Sequence, residues 1–153
     1  MLQKYWRIIV VNNSGQTVTY DSNGRIYLHL KGINLTPATG KLVYGAIAED
    51  GVEIIESGNS IADGANDKTG EIDNSSNLYP NALVQLEVKH DEGAAADGTF
   101  DVYYDGADTT GELASDQDGY SDPETNGLQV VGSLIWDSSP GDDETLVSHT
   151  FLI

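Results

Sequence analysis

The sequence contains no cysteine. Disulfides, thiolate zinc sites and a cysteine nucleophile are therefore excluded, and thiol usage carries no information about redox compartment. Positive charge is scarce: seven Lys and Arg stand against twenty-five Asp and Glu, a formal net charge of -18. A surface of that sign repels phosphate backbones instead of releasing their counterions, so no nucleic-acid partner is expected. Long apolar runs are missing too. Behind Lys4 and Arg7 the run is only Ile8 to Val11 before "NNSGQ" interrupts it, which is too short for a signal peptide. Nothing approaches the roughly 20 apolar residues that a membrane helix requires, so no signal peptide, no transmembrane segment and no membrane partner are expected.

Sequence signatures of catalysis are equally sparse. There is no G-x-S-x-G elbow, and "TGK" at Thr39 to Lys41 lacks the glycine and hydroxyl residue of a phosphate loop. His29, His90 and His149 have no H-x-H or H-E-x-x-H spacing that would aim two imidazoles at one zinc. His149 alternates with Val147, Phe151 and Ile153 and reads as a partly buried, hydrogen-bonded histidine. A carboxylate pair for glycoside hydrolysis can be drawn somewhere among twenty-five acids, so such a pair discriminates nothing. The expectation is a protein that is not an enzyme.

What the chain does have is period-two alternation in short runs bounded by Gly, Asn, Asp and Pro, with no helical periodicity over a dozen residues. "YWRIIVV" opens as a nearly continuous apolar strand, followed by "QTVTY" and by "RIYLHLKGINL", with Ile26, Leu28 and Leu30 on one face. "LVYGAIA" and "VEIIE" flank "EDG", a hairpin signal. The stretch from Ser57 to Asn81 is rich in turn formers, with room for one short edge strand near Glu71 to Asp73. "LVQLEVK" places Val84, Leu86 and Val88 inward, and "GTFDVYYDG" places Phe100, Val102 and Tyr104 inward. "LQVVGSLIW" places Leu128, Val130, Leu134 and Trp136 on one face, with Val130, Leu134 and Trp136 inward, and "TLVSHTFLI" closes the chain. The fold class that follows is all-β, a single-domain antiparallel β-sandwich or jelly-roll-like arrangement of about eight strands over residues 1–153.

Charge is laid out unevenly. From Met1 to Ala48, Lys4, Arg7, Arg25, Lys31 and Lys41 face Asp21 alone, whereas fifteen acids and no Lys or Arg follow Lys89. The two parts can neutralise one another within one fold, or a basic patch can dock on an acidic patch of a neighbour. The second reading makes Lys4, Arg7 and Arg25 interface charges and Trp6, Leu152 and Ile153 the apolar contact, with a homo-oligomer expected.

The acidic segment "GELASDQDGYSDPETNG" gathers Asp116, Asp118, Asp122 and Glu124. With Gly119 aligned as the EF-hand glycine, Ala114 and Thr125 occupy the two ends, so the segment is not an EF-hand. A looser calcium cage from those four acids is the one metal site the sequence offers; otherwise no cofactor is expected. Trp136 and Tyr104 fall on inward registers, and Tyr79, Tyr103 and Tyr120 are the better exposed candidates for an aromatic sugar platform, which makes a calcium-dependent or aromatic-platform carbohydrate-binding (adhesion) module the alternative function.

"DGTFDVYYDGADTTGE", the acidic proline-bearing loop, "NGLQVVGSLIWDSS" and the apolar final strand together resemble small β-sandwich virion proteins of tailed bacteriophages, of the decoration or auxiliary type. The resemblance covers roughly Gly98 to Ile153 and rests on a pattern of strands and loops. It implies a non-enzymatic protein located on the virion, at the capsid surface, with a major capsid or other virion protein as partner, and it carries over no catalytic residue.

Overall fold

The computed structural model describes residues 2–15, 17–19, 25–36, 39–55, 60–90, 98–136 and 145–153. They form an all-β sandwich with antiparallel pairing throughout. One sheet has the order β10-β9-β1-β6, with β7 also pairing β1; the other has the order β11-β8-β3-β4. The strands of the first are β1 (Tyr5–Asn12), β6 (Asn66–Lys68), β7 (Ile72–Asp73), β9 (Gly98–Ala107) and β10 (Gln129–Trp136). The second contains β3 (Arg25–Thr36), β4 (Lys41–Ile55), β8 (Asn81–His90) and β11 (Thr145–Leu152). A two-stranded ribbon joins β2 (Val18–Thr19) to β5 (Ser60–Ile61).

Both sheets contribute to one apolar core. Trp6, Ile8 and Val10 of β1 and Phe100 and Val102 of β9 meet Ala82, Val84 and Leu86 of β8, all but closed to solvent. Alternation explains the choice: these residues share a face at spacing two, as the sequence pattern requires. β1 is buried on its other face as well, where Ile9 and Val11 pack with Tyr103 under the half-buried Tyr120 and Leu128. A near-continuous apolar strand thus lies in a two-sided environment. Its outer cover is the 108–128 segment, which contains a 3-10 turn at Ala114–Asp116.

Two local expectations change. "EDG" does not turn: β4 runs through Glu49 to Gly51 as strand, and its fifteen residues oppose the twelve of β3 through four register irregularities. Bulges absorb the excess length that a hairpin would have used. On β10, a register shift between Val130 and Gly132 breaks the alternation. Val131 thereby packs against the core while Val130 is 51% exposed, the reverse of the sequence expectation for Val130. The short strand foreseen near Glu71 to Asp73 is present as β7.

Among the described residues no helix is long and apolar enough to cross a membrane.

Candidate functional site

Two regions of the described surface are built from residues distant in sequence, and both involve positions the sequence singled out. The first is the attachment of the acidic segment to the outer face of the β1 sheet. Arg7, Ile9 and Val11 share that face by alternation, and the register sets Arg7 opposite Asp105 and Ile9 opposite Tyr103 on β9, with Lys68 of β6 on the other side of Ile9. Arg7 is only 6% exposed. Its guanidinium donates to both carboxylate oxygens of Asp116 at 2.7 Å and to Ser115 Oγ at 3.1 Å. Lys68 Nζ donates to the Ser115 carbonyl at 2.7 Å and to Asp116 Oδ1 at 3.1 Å. Planar bidentate pairing of this kind is short and charge-assisted, which fixes orientation as well as contributing energy.

Asp105 completes the attachment from below. Buried at 1% exposure, it accepts from the backbone N–H of Ala114 at 3.1 Å and of Ser115 at 2.9 Å. The start of the 3-10 turn, which has no side-chain cap of its own, is thereby satisfied by a carboxylate of the sheet. Leu113 is fully buried beside it. Further along, Glu71 accepts from Thr110 Oγ1 at 2.6 Å and from the Gly111 N–H at 3.0 Å.

Electrostatics follow the packing. Burial pushes the Asp116 carboxyl up, but hydrogen bonds and charge from Arg7 and Lys68 outweigh it and hold the group below its ordinary value. Tyr120, half-buried with Lys68 Nζ 5.8 Å from its ring centre, is pushed up to about 12 by burial and by the charges of Asp105 and Asp122. Its hydroxyl is buried with no hydrogen-bond partner among the described residues.

The geometry bears on two of the sequence-derived expectations. The four acids proposed as a calcium cage do not converge. Asp116 faces Arg7 and Lys68, and Asp122 turns into its own loop, accepting from Thr125 N–H at 2.8 Å and Ser121 Oγ at 3.2 Å. Asp118 and Glu124 are exposed. Among the described residues no three His, Cys, Asp or Glu side chains gather to hold a metal ion. The tyrosines expected to lie outward do not form a platform either: Tyr103 is 6% exposed, Tyr120 covers it, and the half-buried Tyr79 packs its ring against Gly32.

The second region is a mouth where β10 and β11 separate into the two sheets, lined mainly by apolar residues but open to polar atoms as well. Leu2, Tyr104, Gln129, Val130, Val131, Leu152 and Ile153 line a cavity of about 310 Å³. Leu152 is 68% exposed and Val130 51%. The floor is fixed by backbone pairing of Ile153 with Ala82 in both directions, at 2.9 and 3.0 Å, and by Tyr104, whose hydroxyl accepts from Gln3 N–H at 2.9 Å. Tyr104 also lies 5.9 Å from the Trp6 ring, centre to centre.

The interface residues inferred from sequence therefore separate into groups. Leu152 and Ile153 meet at the mouth, with Ile153 half-buried, and Lys4 is exposed. Trp6 is 2% exposed in the core and Arg7 is paired within the chain, so neither is available to a neighbour. The Arg25 side chain lies outside the described residues. Val130, which sequence reasoning placed inside, is the mouth residue it missed; the signal was Gly132 in the strand, a common mark of a bulge.

The chain matches no family model, no curated protein and no solved structure.

Proposed function

We propose that this chain is a non-enzymatic structural component of a virus particle, a capsid decoration or cement protein that binds the capsid surface and neighbouring copies of itself. The observation that carries the reading is the exposure of two aliphatic side chains at the mouth between β10 and β11. In a chain of net charge -18, Val130 and Leu152 stand exposed on the walls of one groove, and each square ångström of apolar surface that a partner covers there gains about 25 cal/mol. Exposed aliphatic side chains brought together in one groove are a feature of contact sites. The resemblance of residues 98–153 to phage decoration proteins supports the same reading, as does the firm attachment of the acidic segment, which suits a protein whose role is mechanical.

The docking surface differs from the one that charge layout suggested. Arg7 already has its carboxylate, so the lasting contact comes from the mouth, with Lys4 as a rim charge that affects association rate more than affinity. Purified chain added to particles lacking it tests the proposal. Wild type should bind in saturable, particle-dependent fashion, and Val130→Glu combined with Leu152→Glu should abolish binding while circular dichroism is retained. Normal occupancy by that double variant, or turnover of a soluble substrate by the free chain, would contradict it.

A further inference from the structure

A groove of about 270 Å³ opens against the outer face of the β1 sheet, lined among others by Val11, Asn13, Tyr103, Asp122, Glu124 and Thr125. The Tyr103 ring packs with Ile9 and Val11 under Tyr120 and Leu128, so its faces are taken. Its hydroxyl is different. Three buried polar side-chain atoms lack a hydrogen-bond partner among the described residues: Trp6 Nε1, Arg7 Nε and Tyr120 Oη. The Tyr103 hydroxyl also has no hydrogen bond there, yet it is not one of those sealed atoms. In a side chain only 6% exposed, it therefore opens on the groove that Tyr103 lines.

Charge around that hydroxyl is of one sign. Asp101 shares the outer face of β9 with Tyr103 at spacing two, and Asp122 and Glu124 come from the covering segment. Burial, and then the charges of Asp101, Glu124 and Asp122, push the phenol up. Asp101 is engaged by Asn13 Nδ2 at 2.6 Å and by Ser133 Oγ. Among the described residues no cation is paired with Asp122 or Glu124, whereas Asp116 has two.

We infer that this groove receives an arginine side chain from a partner protein, its guanidinium seated between the Tyr103 hydroxyl and the carboxylates of Asp122 and Glu124. A guanidinium has five N–H donors and no acceptor, which complements a phenol oxygen and two carboxylates. Acceptors spread over two elements suit a planar fork better than the point charge of an ammonium, and the fork's weak hydration suits Val11 beside them. A bare metal ion is not matched, since among the described residues no three His, Cys, Asp or Glu side chains gather. A sugar needs a free ring face, and that of Tyr103 is covered. A second copy is a poor source of the arginine, because it brings a charge of -18 and its Arg7 is held by Asp116. The site deepens the assembly reading above and rests on it for the partner, a basic patch on the capsid surface.

Nuclear magnetic resonance titration of the full chain at physiological salt tests this, with acetyl-Gly-Arg-Gly-amide as the probe. The corresponding citrulline peptide, of the same shape without the charge, is the control. The arginine peptide should shift the backbone amides of Gly64 and Thr125 saturably, the lysine peptide should bind more weakly, and the citrulline peptide should not bind. Tyr103→Phe and Glu124→Gln should each raise the dissociation constant by about threefold or more. Asp118→Asn, at an exposed acid of the same segment outside the groove, should leave it unchanged. Glu124 is exposed, so its variant gives a reading even where Tyr103→Phe disturbs packing. Absence of a saturable shift, an equal response to the citrulline peptide, or normal binding by Glu124→Gln overturns the inference. So does a neutral hexose that shifts the same amides, or self-association of the chain that the arginine peptide disrupts. A chain that decorates particles but binds no arginine peptide removes this site alone; one that binds the peptide but never decorates particles removes the particle reading alone.

Discussion

Arg7 shows how far a residue's role can lie from its sequence neighbourhood. It sits in a basic, apolar start of the chain, and its carboxylate partner is 109 positions away. Removing it strips three hydrogen bonds from the attached segment and leaves Asp116 with Lys68 alone, so Arg7→Ala should cost about 2–3 kcal/mol, read as a lower urea midpoint. Asp116 is partly exposed, which keeps the figure below that of a fully buried pair. Since its folded pKa is depressed, its contribution is present above the unfolded value near 3.8 and is lost as pH falls through the lower folded value. An acid titration of stability should show Asp116→Asn to be less stable than wild type at neutral pH and converging on it in strong acid. Tyr120 behaves in the opposite sense. Its pKa is raised to about 12, so the stability it confers is full below about 10 and is lost as pH rises through 12. Because its hydroxyl is buried without a partner among the described residues, Tyr120→Phe should be neutral or stabilising by up to about 1 kcal/mol and should flatten the alkaline limb of the stability profile.

Among the elements, the strands whose alternation is unbroken were legible in advance. Val84 and Leu86 on β8 and Phe100 and Val102 on β9 are the core residues that period two selects, each fully buried. β1 was legible as an apolar strand, but its outer cover was not, because the 108–128 segment is composed of turn formers and acids whose contacts lie across strands. Val130 and the "EDG" stretch were misread for a common reason. A bulge shifts the face of every residue beyond it and can carry a strand through a turn-like tripeptide, and no local pattern specifies where the ladder slips. The four acids of the acidic segment do not converge in the fold, because linear proximity of carboxylates says nothing about convergence: Asp116 and Asp122 have different partners. One position on β3 tests the packing directly. A Cβ at Gly32 would collide with the Tyr79 ring at Cδ2 and Cγ, close to the ring's attachment, where it has least freedom to move. Gly32→Ala should therefore lower stability by about 1–3 kcal/mol in chemical denaturation, with the far-ultraviolet spectrum retained.

The sandwich class was readable for the whole molecule from strand count, spacing and the absence of helical periodicity, whereas the mouth was readable only in part: Leu152 and Ile153 were singled out, Val130 and Leu2 were not. Charge layout allowed internal neutralisation or docking between copies; Arg7 is neutralised internally by Asp116, and the surface left open is a mouth that brings Leu2 of the chain's start beside Leu152 and Ile153. That mouth depends on a bulge and on two sheets separating, both properties of tertiary structure. The most direct test of an assembly role is electron cryo-microscopy of particles purified from the producing host. The account predicts sandwich-shaped density at symmetry-related positions on the outer capsid surface, with Val130 and Leu152 turned into a contact. Particles that lack this density, while the chain accumulates in the soluble fraction, would contradict it.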